Sequence, residues 1–220
     1  MPVNSQDQHY VKPTDYPNII FDFGGVILNI DVRLTIDAFK ELSPSYRNDS
    51  TPRIIESRLM HNFEMGRIEE EAFKTGLREI LEIKPDTVSD SQLYDAWNAL
   101  ILDIPVARLE LLKKISETHR IFLLSNINII HMRKVSEVVQ QTTGKPEIDD
   151  LFENAYYSHL IHMRKPDTDI YEYVIQQNDL DPVETLFLDD NPVNLKGAEK
   201  TGLATWEVKP GDEICKIFNS

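Results

Sequence analysis

Asp22, Asp189 and Asp190 are the residues of this chain whose type and setting most suggest chemistry, because each stands directly after a short apolar run or ends one. Asp22-Phe23-Gly24-Gly25-Val26 follows Ile19-Ile20-Phe21, and Asp189-Asp190-Asn191 follows Thr185-Leu186-Phe187-Leu188. Two further segments stand in comparable places. Ser125-Asn126 follows Ile121-Phe122-Leu123-Leu124, and Arg164-Lys165-Pro166-Asp167 lies between Ala155-Tyr156-Tyr157 and a helical stretch. Taken together these are three carboxylates, a hydroxyl, an amide and an ammonium. Hard oxygen ligands suit Mg²⁺, which binds through one or two carboxylates, waters and phosphate oxygens. A carboxylate such as Asp22 can act as a nucleophile and form an aspartyl-phosphate. Lys165 and a metal would neutralise phosphoryl charge, while Ser125, Asn126 and the backbone N–H groups of Gly24 and Gly25 would donate hydrogen bonds.

Each piece has a plainer reading. Asp22 could be a strand-ending turn residue. Ser125-Asn126 and Asp189-Asp190-Asn191 could be helix caps, and Lys165 a solvated lysine. The chemical reading gains weight because the four segments all fall at the same end of four predicted strands. A cluster of acids is also costly unless a cation compensates it.

Continuous apolar runs of this length suit strands buried on both faces, and Ala204–Val208 is a fifth candidate. Helical periodicity occupies the gaps, at Ala107–Thr118, Ile129–Gln141, Thr168–Asn178 and Pro192–Thr201, the last opened by an Asn191-Pro192 cap. This alternation predicts an α/β fold, a doubly wound parallel sheet with helices on both faces, whose ligands bind beyond the carboxyl ends of the strands. Residues 32–104 break the pattern, with amphipathic helical segments and no convincing strand. They read as an all-helical cap inserted into a core made of 18–31 and 105–220, with turns marked by Pro44, Pro52, Pro85 and Pro105. Residues 1–17 are polar, carry three prolines and read as an extended lead-in.

The net charge of −14 argues against a nucleic-acid backbone or an anionic membrane as partner. The chain has one cysteine, Cys215, which excludes an intramolecular disulfide framework and a Cys-rich metal site. No apolar run approaches the roughly 20 residues needed to span a bilayer, and the first ten residues do not read as a secretory signal. The expectation is a cytoplasmic protein acting on a small molecule.

Four motifs in order carry a family resemblance: Phe21-Asp22-Phe23-Gly24-Gly25-Val26, Leu123-Leu124-Ser125-Asn126, Met163-Arg164-Lys165-Pro166-Asp167 and Phe187-Leu188-Asp189-Asp190-Asn191. From about Asn18 to its end the chain resembles the haloacid dehalogenase superfamily of hydrolases, with an insertion similar to that family's small helical cap. Within the superfamily it looks closest to the bacterial α-glucose-1-phosphate phosphatases. The resemblance implies a Mg²⁺-dependent phosphohydrolase for a small phosphorylated metabolite, a sugar phosphate being the expected kind. It implies that Asp22 is nucleophile and metal ligand, that Gly24 offers its carbonyl to the metal, and that Ser125 and Lys165 hold the phosphoryl group with Asn126 beside them. Asp190 would bind Mg²⁺, and Asp189 would bind it directly or through water.

One position departs from the family pattern. Its phosphatases usually carry a second aspartate two residues after the nucleophile, as general acid and base; here that residue is Gly24. Two other readings follow from this departure: a non-catalytic or regulatory protein on the same fold, or a dehalogenase, against which the paired acids Asp189 and Asp190 argue because they would repel an anionic haloacid. The segment Phe63-Glu64-Met65-Gly66-Arg67 could reach the site from the cap, although Gly66 is expected to cap a helix in the left-handed conformation. Asp31, His159 and His162 read as surface residues.

Overall fold

Five short strands form one sheet in a computed structural model that describes residues 12–43, 54, 57–84 and 86–218. The strands are β1 (Asn18–Phe21), β2 (Arg120–Ser125), β3 (Asn154–Tyr157), β4 (Thr185–Asp189) and β5 (Ala204–Glu207). Their order is β3-β2-β1-β4-β5 and every pairing is parallel. The chain builds outward from β1 to β3 on one side, then crosses to β4 and β5 on the other. The topological switch therefore lies between β1 and β4, where an open α/β sheet places its ligand crevice.

Alternate side chains of these strands enter two separate cores, which is why the runs are apolar without a polar face. Ile19, Phe21, Ile121, Leu123, Leu186 and Leu188 pack on one face with Leu109, Leu112, Val135 and Val139. Those partners come from α5 (Val106–Ser116) and α6 (Ile129–Thr143). Ile20, Phe122, Leu124 and Phe187 pack on the other face with Ile170, Val174, Leu195 and Ala198, from α8 (Thr168–Gln177) and α9 (Pro192–Glu199). A short helix, α7 (Ser158–Ile161), follows β3 directly.

Among the described residues, four helices stand between β1 and α5: α1 (Val32–Leu42), α2 (Arg58–Glu64), α3 (Glu70–Ile80) and α4 (Asp90–Asn98). Local sequence starts them. Asp31 caps α1, Ser57 caps α2, and Ser89 with Gln92 forms a capping box on α4. Their apolar faces meet in a third core that includes Phe39, Phe63, Phe73, Leu77, Leu93 and Trp97. The two chain crossings that lead into and out of this insertion run side by side. Asn29 N–H donates to Asp103 O at 2.9 Å, Leu102 N–H to Asn29 O at 3.0 Å, and Ile30 bridges Ile101 in antiparallel sense.

Pro105 is the residue before α5, as a turn marker should be, whereas Pro44, Pro52 and Pro85 lie outside the described residues. The lead-in is not extended over its last residues: Pro13–Asp15 form a 3₁₀ turn with Pro13 buried, while residues 1–11 lie outside the described residues. His159 corrects a second expectation. It is buried, since α7 places it under the Glu64–Arg67 segment, whereas His162 is exposed and its ring meets Met65 O at 2.8 Å. Among the described residues no helix is long and apolar enough to cross a membrane.

Candidate active site

Strand register assembles the site. Phe21 lies opposite Leu188 in the adjacent strand, so Asp22 and Asp189, each one residue further on, emerge together at the carboxyl edge beside the switch point. Asp22 N–H donates to Leu188 O at 2.8 Å and carries the ladder one residue past β1. Phe21 is likewise opposite Leu123, which places Ser125 at the same edge as the last residue of β2.

Lys165 enters from the loop before α8 and is 1% exposed. Its Nζ lies 2.7 Å from Asp22 Oδ1 and 2.7 Å from Asp189 Oδ2. Oxygen atoms of Asp22, Asp189 and Asp190 all lie within 4.8 Å of one another. One ammonium thus faces three carboxylates. Burial first, then the charge of Asp189, pushes the Asp22 carboxyl up to about 8 despite the pull of Lys165. Burial and Asp189 likewise push Asp190 up to about 6. At Lys165 burial favours the neutral amine, but Asp189 and Asp22 outweigh it, and its pKa stands above the ordinary lysine value. The excess negative charge is what a divalent cation would remove.

The acids are not equivalent. Asp189 is fully buried and already accepts from Lys165, from Asn191 N–H at 2.8 Å and from Asn194 Nδ2 at 3.1 Å on each oxygen. Asp190 is partly exposed and faces Gly25, whose backbone is left-handed at φ +77°. A Cβ on Gly25 would stand 2.2 Å from Asp190 Oδ2.

Two sequence-predicted phosphate contacts take other partners. Gly25 N–H donates to Leu28 O at 2.8 Å inside the tight loop after β1 and is not available to a phosphate. Its contribution is the absent side chain. Gly24 N–H, by contrast, has no partner among the described residues. Asn126 clasps the backbone of Lys165: its Nδ2 donates to Lys165 O at 2.8 Å and its Oδ1 accepts from Lys165 N–H at 2.9 Å. Asp31 caps α1 and is paired with Arg33 at 2.7 Å, whose hydrogen bonds hold its carboxyl below the usual range.

The Glu64–Arg67 segment does reach the core. Glu64 is buried and its Oε2 accepts from Arg164 Nε at 3.1 Å and Nη2 at 2.9 Å. Burial raises the Glu64 carboxyl pKa, with Arg164 opposing. Ser158 Oγ donates to Glu64 O at 2.7 Å, and a Cβ on Gly66 would stand 2.2 Å from His159 O. Glu64, Arg164, Ser158 and Asn194 had no assigned role in the sequence reading. The signals available were the Phe63–Arg67 segment, expected to reach the site from the insertion, and the adjacency of Arg164 to Lys165.

The model of one protein family, described as haloacid dehalogenase-like hydrolase, matches residues 19–208. The chain belongs to this family. A solved structure of a haloacid dehalogenase-like family enzyme from Bacteroides thetaiotaomicron, in complex with magnesium and inorganic phosphate, is 32% identical. It superposes with a TM-score of 0.80 over 92% of this chain and 99% of that one. A D-ribitol-5-phosphate phosphatase from the same species is 26% identical over 207 residues, 92% of this chain and 98% of the relative. A sesquiterpene phosphatase from Aspergillus oryzae is 27% identical over 191 residues, 86% of this chain and 88% of the relative. As a haloacid dehalogenase-like hydrolase the chain presents Asp22 at the end of its central strand, with Lys165 and two further acids around it.

Proposed function

We propose that this protein is a Mg²⁺-dependent phosphohydrolase acting on a small phosphorylated metabolite through an aspartyl-phosphate on Asp22. The observation that carries the reading is Lys165 Nζ bonded at 2.7 Å to both Asp22 and Asp189, with Asp190 completing a three-acid cluster that one ammonium cannot neutralise. That donor set is all oxygen and fits Mg²⁺. Asp22 and Asp190 would hold the ion with the carbonyl of Gly24. Asp189, saturated by its protein partners, would fix Lys165 and act on the ion through water.

Bound Mg²⁺ would neutralise charge on the phosphoryl oxygens. Asp22 attacks phosphorus in line with the ester oxygen; the new bond is from the carboxylate oxygen to phosphorus, and the phosphorus–ester oxygen bond breaks. The alcohol takes its proton from solvent, since position 24 has no acid. Water then attacks the phosphorus of the aspartyl-phosphate, which releases inorganic phosphate and restores the carboxylate. Lys165, Ser125 and the N–H of Gly24 hold the transferring oxygens, and such positioning with charge neutralisation is most of what phosphoryl transfer needs. Helices α1–α4 of the insertion would serve as a cap over the site, joined to the sheet domain by the Glu64–Arg164 pair.

The test is phosphate release from a panel of phosphomonoesters and acetyl phosphate. Turnover should require Mg²⁺ and stop in chelator, and Asp22→Asn should abolish it while keeping the fold, because an amide is nearly isosteric with the carboxylate but a very poor nucleophile. Turnover that survives Asp22→Asn would assign the attack to another group. A panel untouched by the parent would move the non-catalytic reading to first place.

A further inference from the structure

A cavity of about 210 Å³ lies between the helical insertion and the sheet domain, next to the Lys165 clasp, with Asn126 in its wall. It is smaller than the ~300–1,000 Å³ of sites for drug-sized ligands. Its apolar wall is made by Val32, Ile36, Phe39, Met60, Trp97 and Leu100. The polar residues of its described wall are Thr35, Glu64, Asn126 and His131.

Among the described residues the polar wall groups are largely committed to protein partners, with Glu64 Oε1 an atom that accepts no bond. Thr35 Oγ1 donates to Trp97 O and accepts from Leu100 N–H, both at 3.1 Å. The His131 ring meets Asn128 Nδ2 at 3.1 Å and Trp97 O at 3.2 Å, and burial lowers its pKa to about 4, so it is neutral near pH 7. Asn126 spends its amide on Lys165, and Glu64 is held by Arg164. A polyol entering this space would leave most of its hydroxyls without the bonds they make in water, a cost that burial of its few apolar atoms does not offset. A second anionic group would meet the carboxyl of Glu64 and, among the described wall residues, no cation.

We infer that the substrate is a phosphate monoester whose leaving group is a compact, uncharged and largely apolar alcohol, seated in the cavity beside Asn126. This rests on the phosphohydrolase reading above and narrows its substrate class.

The experiment uses the full chain with Mg²⁺ and four probes: 3-methylbutyl phosphate, D-ribitol 5-phosphate, 3-phosphoglycerate and acetyl phosphate. The first two release alcohols through primary carbons, so their difference reports the pocket more than the chemistry. Acetyl phosphate has a leaving group too small to need the cavity and reports the phosphoryl-transfer machinery. The expected result is a kcat/KM for 3-methylbutyl phosphate at least about tenfold above that for D-ribitol 5-phosphate, the scale of burying a branched alkyl group, with 3-phosphoglycerate the poorest. Met60→Gln, which places an amide in the wall at similar length, should narrow that ratio, and a ratio read within one protein is unaffected by its folded fraction. D-ribitol 5-phosphate turned over as well as or better than 3-methylbutyl phosphate, with acetyl phosphate hydrolysed, would overturn the inference and leave the phosphohydrolase reading standing. A ratio unchanged in Met60→Gln would also overturn it. Failure of all four probes would overturn both readings.

Discussion

Asp190 stands where any side chain on Gly25 would have to go: the Cβ of a residue at position 25 would lie 2.2 Å from Asp190 Oδ2. The two residues come from the loops after β1 and β4, neighbours in the sheet, so the closeness of those strands becomes a close approach of backbone to carboxylate. Gly25 also holds φ +77°, which side-chain-bearing residues adopt at a cost. Gly25→Ala should therefore displace Asp190, weaken Mg²⁺ binding by about tenfold or more and lower stability by about 1 kcal/mol or more. Thermal melts with and without Mg²⁺ check both effects. A variant that keeps the parent's Mg²⁺ stabilisation would show that Asp190 is not held there for the metal.

Metal binding should be coupled to protons. In the metal-free site burial and the charge of Asp189 push the carboxyls of Asp22 and Asp190 up, to about 8 and about 6. Mg²⁺ takes ionised carboxylates, so near pH 7 binding should release about one proton, chiefly from Asp22, and near pH 5 about two. Affinity should accordingly rise by about tenfold per pH unit between about pH 6 and 8 and level off above. Calorimetric titration in buffers of different ionisation enthalpy measures the proton count directly. Affinity independent of pH across that window would mean that Asp22 is ionised before the metal arrives.

Asn126 should behave as a positioning residue. Its amide closes a two-bond clasp on the Lys165 backbone, so Asn126→Ala removes two hydrogen bonds, each worth about 1 kcal/mol net, and frees the loop that carries Lys165. A lower melting temperature of the metal-free protein together with a fall in kcat of about tenfold or more is expected. A side chain whose role was to bind phosphate would raise KM and leave the melting temperature where it was.

These contrasts mark what could be read from the sequence and what could not. The strands were legible because a strand buried on both faces is a continuous apolar run, and Ile19-Ile20-Phe21 and Leu186-Phe187-Leu188 feed both sheet cores alternately. The juxtaposition of Asp22, Lys165, Asp189 and Asp190 followed from topology, since parallel strands bring their carboxyl ends to one edge. What was not legible depends on distances between segments far apart in the chain. Nothing local distinguishes a glycine whose N–H meets a phosphate from one that makes room for Asp190. Nothing local shows that the amide of Asn126 is spent on a backbone 39 residues away. The burial of His159 and the pairing of Glu64 with Arg164 arise only where the insertion meets α7 and the loop before α8.

Position 24 carries no acid to protonate the leaving group. General acid–base assistance is typically worth ~10²–10⁴-fold in rate, so the parent enzyme should depend steeply on leaving-group basicity and turn over acetyl and aryl phosphates faster than alkyl ones. A Cβ at position 24 would meet Ile30 Cδ1 at 3.2 Å and Ile30 Cγ2 at 3.7 Å, with no positive φ to strain it. The space for an acid is therefore closed by one flexible side chain at the entry to the insertion, not by backbone. Gly24→Asp alone should fold at a cost of about 1–3 kcal/mol from overpacking against Ile30. Gly24→Asp with Ile30→Val, which removes the crowding methyl, should recover most of that stability. The double variant should also raise kcat/KM for alkyl phosphates by about 10²-fold while changing acetyl phosphate little, since acetate departs without a proton. A plot of log kcat/KM against leaving-group pKa for parent, single and double variants reads the effect as a slope. If the slope stays as steep in the double variant, the carboxyl at position 24 does not reach the ester oxygen, and the slow step lies elsewhere than in departure of the alcohol.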